Sequence, residues 1–173
     1  MNIFHEKFST GQVVEATGVS NDTLQNWLKR KLIVGQKDID GGGSQGRHRQ
    51  FTFFNLIEIA AAKALIDVGM TDLKAAFYAA SRFSHSGDEA RVPGCPFNKG
   101  YGITLLVAGQ GWAREVFLSE NETALDFYTQ NIQSSAVGAT IVNMSRVFDL
   151  VTTRAGFHPE AVLEIAYPKD AED

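Results

Sequence analysis

The stretch that constrains this chain most is GVSNDTLQNWLKRKLI, which runs from Gly18 to Ile33. Gly18 and Val19 predict a turn, and Ser20 can cap a helix by accepting hydrogen bonds from free backbone amides one turn on. Within that helix, apolar residues recur at i, i+3 and i+4 and predict one buried stripe: Leu24, Trp27 and Leu28. The opposite face carries long polar or cationic side chains: Asn21, Gln25, Asn26, Lys29 and Arg30.

A second short helix is predicted just before this one, over STGQVVEATG, where Val13, Val14 and Ala16 are available for packing. Two short helices joined by a tight, glycine-containing turn form a helix-turn-helix. The polar outer face of the second helix suits a DNA major groove, because Gln and Asn can pair with adenine edges while Lys and Arg reach guanine or phosphate.

A basic hairpin is predicted next. The apolar run Leu32-Ile33-Val34 is followed by QKDIDGGGSQG and then by RHRQFTF. The three glycines Gly41 to Gly43 predict a flexible tip. Asp38 and Asp40 would repel phosphate there, so the expected contacts come from the return strand: Arg47, His48 and Arg49. A basic hairpin beside a recognition helix is a wing, placed to touch the DNA backbone.

The order of these elements resembles the DNA-binding domain of MerR-family regulators over roughly residues 8–83. The matching elements are Gly18-Val19-Ser20, Thr23-Leu24, Trp27, Leu32-Ile33, Arg49-Gln50-Phe51-Thr52 and Gly69-Met70-Thr71. The resemblance implies a winged helix-turn-helix, assigned to residues 1–84, that binds double-stranded DNA at a promoter or operator and regulates transcription. The family pattern has an aromatic residue at the position of Trp27, and the resemblance implies that it lies close to the DNA backbone. Trp27 is therefore assigned a role in both the core and the contact surface.

The predicted DNA-binding residues lie on the recognition helix and the wing: Ser20, Asn21, Thr23, Gln25, Asn26, Trp27, Lys29, Arg30, Arg47, His48 and Arg49. Lys29 and Arg30 are assigned to phosphates, Gln25 and Asn26 to base edges, and the wing to the neighbouring backbone. The family often has Arg and an aromatic where Gln25 and Asn26 stand. This departure shifts the expected phosphate contact toward the wing.

Two further helices are predicted to cover the helix-turn-helix. The first is capped by Thr52 and runs from about Phe53 to Val68, and the second is capped by Thr71 and ends near Phe83. The long helix that pairs two subunits in the family is missing after Phe83. Residues 85–100 are rich in Gly, Pro, Ser and charge, which predicts a linker or long loop.

A small β-β-α-β-α module is predicted over residues 101–167, with a loose tail at 168–173, so the fold class is α+β. Its predicted elements are a buried strand at 103–108, an alternating strand at 112–118, a helix at 120–132, a strand at 139–143 and a helix at 146–155. Ser119 and Glu122 suggest a capping box for the first of these helices.

The module is expected to serve dimerisation or effector binding. A single small DNA-binding domain with few cations binds DNA weakly on its own. Two such domains joined in one molecule gain affinity through effective concentration, so a homodimer is expected. The alternative is a monomer whose C-terminal half senses a ligand. RNA polymerase and a small effector stay open as further partners.

Charge is divided unevenly along the chain. Residues 1–52 hold seven Lys or Arg against five Asp or Glu, a net charge of +2, so the remainder carries −6 of the overall −4. A mildly basic N-terminal part followed by an acidic remainder fits a protein that contacts phosphate through its N-terminal part only.

Cys95 is the single cysteine and excludes an internal disulfide. With no signal peptide or membrane span expected from the sequence, a cytoplasmic location is predicted.

Signals for catalysis, metals and cofactors are weak, and none is predicted. His85, Asp88, Glu89 and Cys95 could be written as a metal cluster, but their spacing matches no ligand pattern. The glycine-rich segments lack the lysine of a phosphate loop and the strand-loop-helix context of a dinucleotide site. The aromatics Trp112, Phe117, Phe127 and Tyr128 could line an effector pocket, although such spacing is more typical of a core. The chain is therefore not expected to be an enzyme.

Two rival functions share the same head. An excisionase-like architectural protein from a phage or mobile element would bend DNA for recombination, but such proteins are usually far smaller. A protein-interaction adaptor that has lost DNA binding is disfavoured by the retained cations of the head. A salt titration of binding to random duplex would separate these alternatives.

Overall fold

The computed structural model describes residues 2–41, 48–132 and 136–168. Its helices are α1 (Thr10–Thr17), α2 (Asn21–Lys29), α3 (Phe53–Asp67), α4 (Leu73–His85), α5 (Ala124–Asn131), α6 (Met144–Arg154) and α7 (Pro159–Ala166). Its strands are β1 (Phe8–Ser9), β2 (Gln50–Phe51), β3 (Gly102–Gly109), β4 (Trp112–Ser119) and β5 (Thr140–Asn143). The predicted mixture of helices and strands is confirmed. Within the described ranges, no helix has the length and apolar character needed to cross a membrane.

The helix-turn-helix forms as the local sequence predicts. Gly18 ends α1 in the left-handed conformation, at φ +70°, which a glycine adopts without the cost that a Cβ would add. Ser20 then begins α2, its hydroxyl accepting a hydrogen bond from the Thr23 amide at 3.1 Å. The stripe of Leu24, Trp27 and Leu28 is buried, which confirms the predicted orientation of the helix.

The chain then returns beside the helix-turn-helix through short paired segments. A 3-10 turn at Val34–Asp38 leads to Asp40, which exchanges two backbone hydrogen bonds with Gln50 at 3.0 and 2.8 Å. The β2 strand pairs antiparallel with β1, with Phe8 opposite Phe51. The base of the predicted hairpin is thus paired, whereas Gly42, Gly43 and Arg47 lie outside the described residues.

Helices α3 and α4 close the core over α2. Thr52 caps α3 as predicted, accepting a hydrogen bond from the Asn55 amide at 3.2 Å. The predicted cap of α4 was wrong. Asp72 caps it instead of Thr71, because the Asp72 carboxylate accepts hydrogen bonds from the amides of Lys74 and Ala75. The helix continues to His85, beyond the expected end near Phe83.

The C-terminal half is built on a three-stranded antiparallel sheet in the order β4-β3-β5. Alternation along β3 sends Leu106 and Ala108 into the main core, while Leu105 and Val107 face a second cluster on the other side. The second cluster includes Ile132, which follows α5. The α5 helix begins at Ala124 and not at the expected Glu120. Thr123 is its cap, because Ser119 is still paired in the sheet, opposite Gly102.

One hydrophobic core joins the two halves of the chain. Phe148 and Val151 of α6 belong to the same buried cluster as the N-terminal helices, and the Phe148 ring meets Phe53 edge-on at 6.3 Å between centroids. Helix α6 packs against both α1 and α3, and α7 packs against α6. The boundaries predicted near residues 84 and 101 therefore mark a change of architecture along the chain, while the core extends across them.

The loop between α4 and β3 is fixed by buried polar contacts. Arg91 is only 3% exposed and donates hydrogen bonds to the carbonyls of Phe83, Ser86, Val92 and Cys95. The Tyr167 hydroxyl, just after α7, accepts from the Val92 amide at 3.0 Å and donates to the Pro96 carbonyl at 2.7 Å. These contacts attach the loop to the rest of the fold.

Candidate nucleic-acid interface

The exposed face of α2 gathers hydrogen-bonding and cationic side chains on one side of a well-anchored helix. Asn21, Asn26, Lys29 and Arg30 are exposed, and Gln25 is half-buried. The opposite side is held in the core by three large apolar residues, so the helix cannot rotate without exposing them. The recognition-helix residues predicted from the sequence are therefore presented together, with the exception of Trp27.

Trp27 is a core residue, which confirms the core part of its predicted role, and its contribution to the contact surface stays a prediction. Only 6% of the residue is exposed, and its ring meets Phe77 of α4 edge-on at 5.0 Å between centroids. A side chain so deeply packed leaves only a small area for any contact with DNA. Its part in the site is to fix the position of α2 against α4.

The return strand and the recognition helix are joined by a direct hydrogen bond. Arg49 Nη1 donates to Gln25 Oε1 at 2.8 Å, and Gln25 Nε2 donates to Asn21 Oδ1 at 3.4 Å. The sequence assigned Arg49 to the backbone and Gln25 to base edges as separate tasks, but here the two side chains position each other. His48 is exposed beside them, and Arg47 lies outside the described residues.

Ser20 and Thr23 have structural partners at the start of α2. The Ser20 hydroxyl donates to Thr23 Oγ1 at 2.9 Å while it also accepts the capping hydrogen bond. Ser20 remains exposed and Thr23 is half-buried. Their first role is to begin the helix in a fixed place, at the edge of the predicted contact surface.

A buried carboxylate fixes the segment that links α2 to the hairpin. Glu58 of α3 is fully buried and accepts hydrogen bonds from the amides of Val34 at 2.5 Å and Gly35 at 3.0 Å. His85 Nε2 lies 2.8 Å from the same carboxylate, and Asn55 Nδ2 donates to the Gly35 carbonyl at 3.0 Å. A Cβ on Gly35 would come within 2.5 Å of the His85 ring and 2.7 Å of Asn55 Nδ2, so a larger residue here would have to displace these side chains.

This cluster was not predicted, although the sequence carries a signal for it. Glu58 interrupts the apolar run of α3 between Ile57 and Ile59, and a carboxylate in such a place needs partners when buried. Its partners lie 24, 23 and 27 residues away in the chain, so no local pattern identifies them.

An ion pair offsets one of the two acidic residues near the hairpin. Lys7 Nζ lies 2.9 Å from Asp40 Oδ2, with both side chains substantially exposed. The sequence predicted that Asp40 would repel phosphate. The Lys7 ammonium reduces that repulsion locally, although salt screens an exposed pair of this kind.

The residues that could be written as a metal cluster in the sequence have other surroundings in the structure. His85 contacts Glu58, while Asp88 and Glu89 are exposed. Cys95 is fully buried, and burial raises the pKa of its thiol to about 12, with Arg91 opposing the shift. A thiol with such a pKa stays protonated near neutral pH and reacts slowly. Among the described residues, no three His, Cys, Asp or Glu side chains come together as a metal site would require.

Burial also lowers the pKa of the Arg91 guanidinium, an effect that the nearby Glu115 opposes. Arg91 Nη2 lies 3.7 Å from Glu115 Oε1, and the guanidinium stacks 4.6 Å from the centroid of the Phe83 ring. This charge is used inside the fold and does not belong to the DNA-facing surface.

The four aromatics considered for an effector pocket do not line one cavity together. Trp112 and Phe127 pack around the second hydrophobic cluster, Phe117 meets the Phe97 ring at 6.3 Å, and Tyr128 is 52% exposed. An open cavity of about 500 Å³ lies elsewhere, beside α7. The residues that line it are Asn98, Glu160, Leu163, Glu164 and Tyr167.

The paired short helices, the anchored polar face of α2 and the Arg49 side chain bonded to it define a helix-turn-helix domain of the DNA-binding class. Comparison with known families agrees with this class. Residues 8–74 match the family described as MerR HTH family regulatory protein, which confirms that this part of the chain is a MerR-like domain. The match covers less than half of the chain. No curated protein matches the sequence.

Proposed function

We propose that this chain is a sequence-specific transcription regulator that binds double-stranded DNA at a promoter or operator through its MerR-like domain. The observation that carries the proposal is the hydrogen bond from Arg49 to Gln25. It supports a contact surface in which the return strand and the recognition helix act as one unit beside exposed cations.

The side chains divide naturally between reading bases and holding phosphates. Asn26 is exposed on α2 and can pair with an adenine edge in the major groove. Gln25 presents its amide beside Arg49, so the two side chains offer several donors at a fixed spacing. Lys29 and Arg30 lie where α2 ends and suit phosphate oxygens, which set register without reading sequence.

Selection of bound duplexes from a random-sequence pool, followed by binding titrations over a range of salt concentrations, tests this proposal. Asn26→Ala should relax preference at one base position by about 1–3 kcal/mol. Lys29→Gln should weaken binding to all sequences and reduce the salt slope by about 1. Arg114→Gln on β4 is a matched charge-removal control, because Arg114 donates to the Gln130 carbonyl away from α2. A wild-type protein that enriches no sequence would contradict the proposal.

We also propose that the protein acts as a homodimer through its C-terminal half. The domain offers few cations, and a second domain would raise affinity through effective concentration. Large apolar side chains stay exposed on the C-terminal half, with Leu125 at 70% and Ile141 at 43%. Sedimentation of the full chain, free and on duplex, measures this directly. A monomer in both conditions would overturn the dimer.

The rival architectural function differs in what it does to DNA. An excisionase-like protein would bend its site strongly, whereas a regulator of this kind is expected to show sequence preference with or without bending. Gel mobility of a set of circularly permuted duplexes measures the bend. A strong bend with no effect on transcription in a reporter strain would favour the rival.

We propose that the chain acts by binding and not by catalysis, in the cytoplasm where it would meet DNA. The reactive side chains that the sequence offered serve the fold: His85 holds Glu58, and the Cys95 thiol is buried. RNA polymerase and a small effector stay as proposed partners. The open cavity beside α7 is the place where an effector screen should look first.

A further inference from the structure

We propose that Arg154, the last residue of α6, is a DNA phosphate contact, so that the C-terminal half contributes directly to the DNA-binding surface. The proposal rests on the DNA binding proposed above and adds to it a residue far outside the MerR-like stretch. The family match ends at residue 74, and Arg154 follows 80 residues later.

Arg154 lies over the turn of the helix-turn-helix. Its Nη1 is 3.6 Å from the point that a Cβ on Gly18 would occupy, and Lys63 Cε is 3.9 Å from the same point. Gly18 is followed after one residue by Ser20, the cap of α2. The guanidinium therefore lies near the N-terminal end of α2, whereas Lys29 and Arg30 lie at its C-terminal end.

Docking geometry brings the N-terminal end of α2 to the DNA. In a helix-turn-helix complex, the N-terminal residues of the second helix enter the major groove while the first helix crosses the backbone. Helix α6 packs along α1, the first helix of this pair. Arg154 lies beside Gly18, where α1 ends, so in this docking geometry it would meet the phosphates next to the turn.

The position of Arg154 is well determined by the core. Phe148 and Val151 of α6 are buried, and Thr152 donates a hydrogen bond to the Phe148 carbonyl at 2.8 Å. The end of the helix is closed by hydrogen bonds from the Ala155 and Gly156 amides. The backbone that bears Arg154 is thus fixed, while the side chain itself is exposed.

The charge of Arg154 is available for a phosphate. The ion pairs formed among the described residues do not include it, whereas the neighbouring Lys63 is paired with Asp67 on α3. Lys63 and Asp67 cancel each other, and Asp22 lies in the first turn of α2, so among the described residues Arg154 is the cation left to meet phosphate at the turn. A DNA phosphate would supply the opposite charge and a planar pair of oxygens that suits a guanidinium.

Binding of a random-sequence duplex, followed by fluorescence anisotropy over a series of salt concentrations, tests this assignment. Loss of one phosphate contact should flatten the slope of log affinity against log salt by about 0.9 in Arg154→Gln. Arg154→Lys keeps the charge and should keep the slope. Arg146→Gln removes the same charge from the same helix about 12 Å away along its axis, and should leave the slope unchanged.

Thermal unfolding of each variant separates a binding role from a structural one. A cation at a helix C-terminus also interacts with the helix dipole, so a purely structural Arg154 would lower the melting temperature and leave the salt slope alone. That result overturns the assignment, as does a reduced slope in Arg154→Lys equal to that in Arg154→Gln. If the wild-type protein itself does not bind duplex, the proposed function fails, and the Arg154 contact fails with it.

Discussion

Replacing Glu58 with Ala should destabilise the protein strongly and loosen the segment between the recognition helix and the hairpin. The Glu58 carboxylate is fully buried and is the acceptor for two backbone amides and for the His85 ring. Alanine removes all three interactions at once. It leaves the amides of Val34 and Gly35 without an acceptor inside the protein.

The magnitude follows from the number and burial of the lost hydrogen bonds. A hydrogen bond to a charged group contributes about 1.5–3 kcal/mol, and a buried donor left unsatisfied costs about 1–3 kcal/mol. Counting the two amides and treating the half-buried His85 as able to regain water, we expect a loss of about 3–6 kcal/mol in the free energy of unfolding. Glu58→Gln keeps the volume and one acceptor, so its loss should be smaller.

Urea denaturation followed by circular dichroism measures this loss, with an unchanged m-value required for the comparison. Glu15→Ala on α1 is the matched control, because Glu15 is exposed and the change should stay within about 0.5 kcal/mol. Amide exchange at Val34 and Gly35 should also rise in Glu58→Gln. A loss below about 1 kcal/mol in Glu58→Ala would refute the view that this carboxylate anchors the segment.

Three further predictions concern the contacts around α2 and the loop after α4. In DNA-binding titrations, the effects of Gln25→Ala and Arg49→Ala on the binding free energy should be non-additive, with a coupling of about 0.5–3 kcal/mol in a double-mutant cycle. Strict additivity would show that their hydrogen bond has no role in binding. Trp27→Ala should lower the unfolding free energy by about 3–5 kcal/mol, since the ring packs against Phe77. A stable variant with weakened DNA binding would show instead that Trp27 acts mainly in the contact surface. Arg91→Ala should lower the free energy of unfolding by about 3–5 kcal/mol, because it leaves buried carbonyls and the Glu115 carboxylate unpaired. Urea unfolding measures this loss, and a near-neutral result would contradict the structural role of Arg91.

The sequence by itself determined the local parts of the recognition unit. Ser20 capping α2, Gly18 ending α1 and the buried stripe through Leu24 depend on residues within a few positions of one another. Such features follow from backbone geometry and helical periodicity, which a single sequence displays directly. The order of these local features was also sufficient to suggest the MerR-like domain that the family comparison confirms over residues 8–74.

Two helix beginnings were predicted wrongly, each where two capping residues stand close together. Thr71 and Asp72 can both cap α4, and Ser119 and Thr123 can both cap α5. The structure selects Asp72 and Thr123. For α5, the sheet decides between the two residues. Ser119 is the last residue of β4 and is paired with Gly102, so it is not free to cap the helix. Neighbouring elements therefore decide between caps that are locally equivalent.

Only the tertiary structure decided which distant residues meet. Glu58 and His85 are 27 residues apart, Gln25 and Arg49 are 24 apart, and Arg154 reaches Gly18 from the other half of the chain. The same holds for the shared core, in which α6 packs on α1 and α3. Helical periodicity shows which face of each helix is apolar. It carries no information about which other element that face will pack against. That choice depends on shape and volume across the whole fold, since a packed interior tolerates few voids.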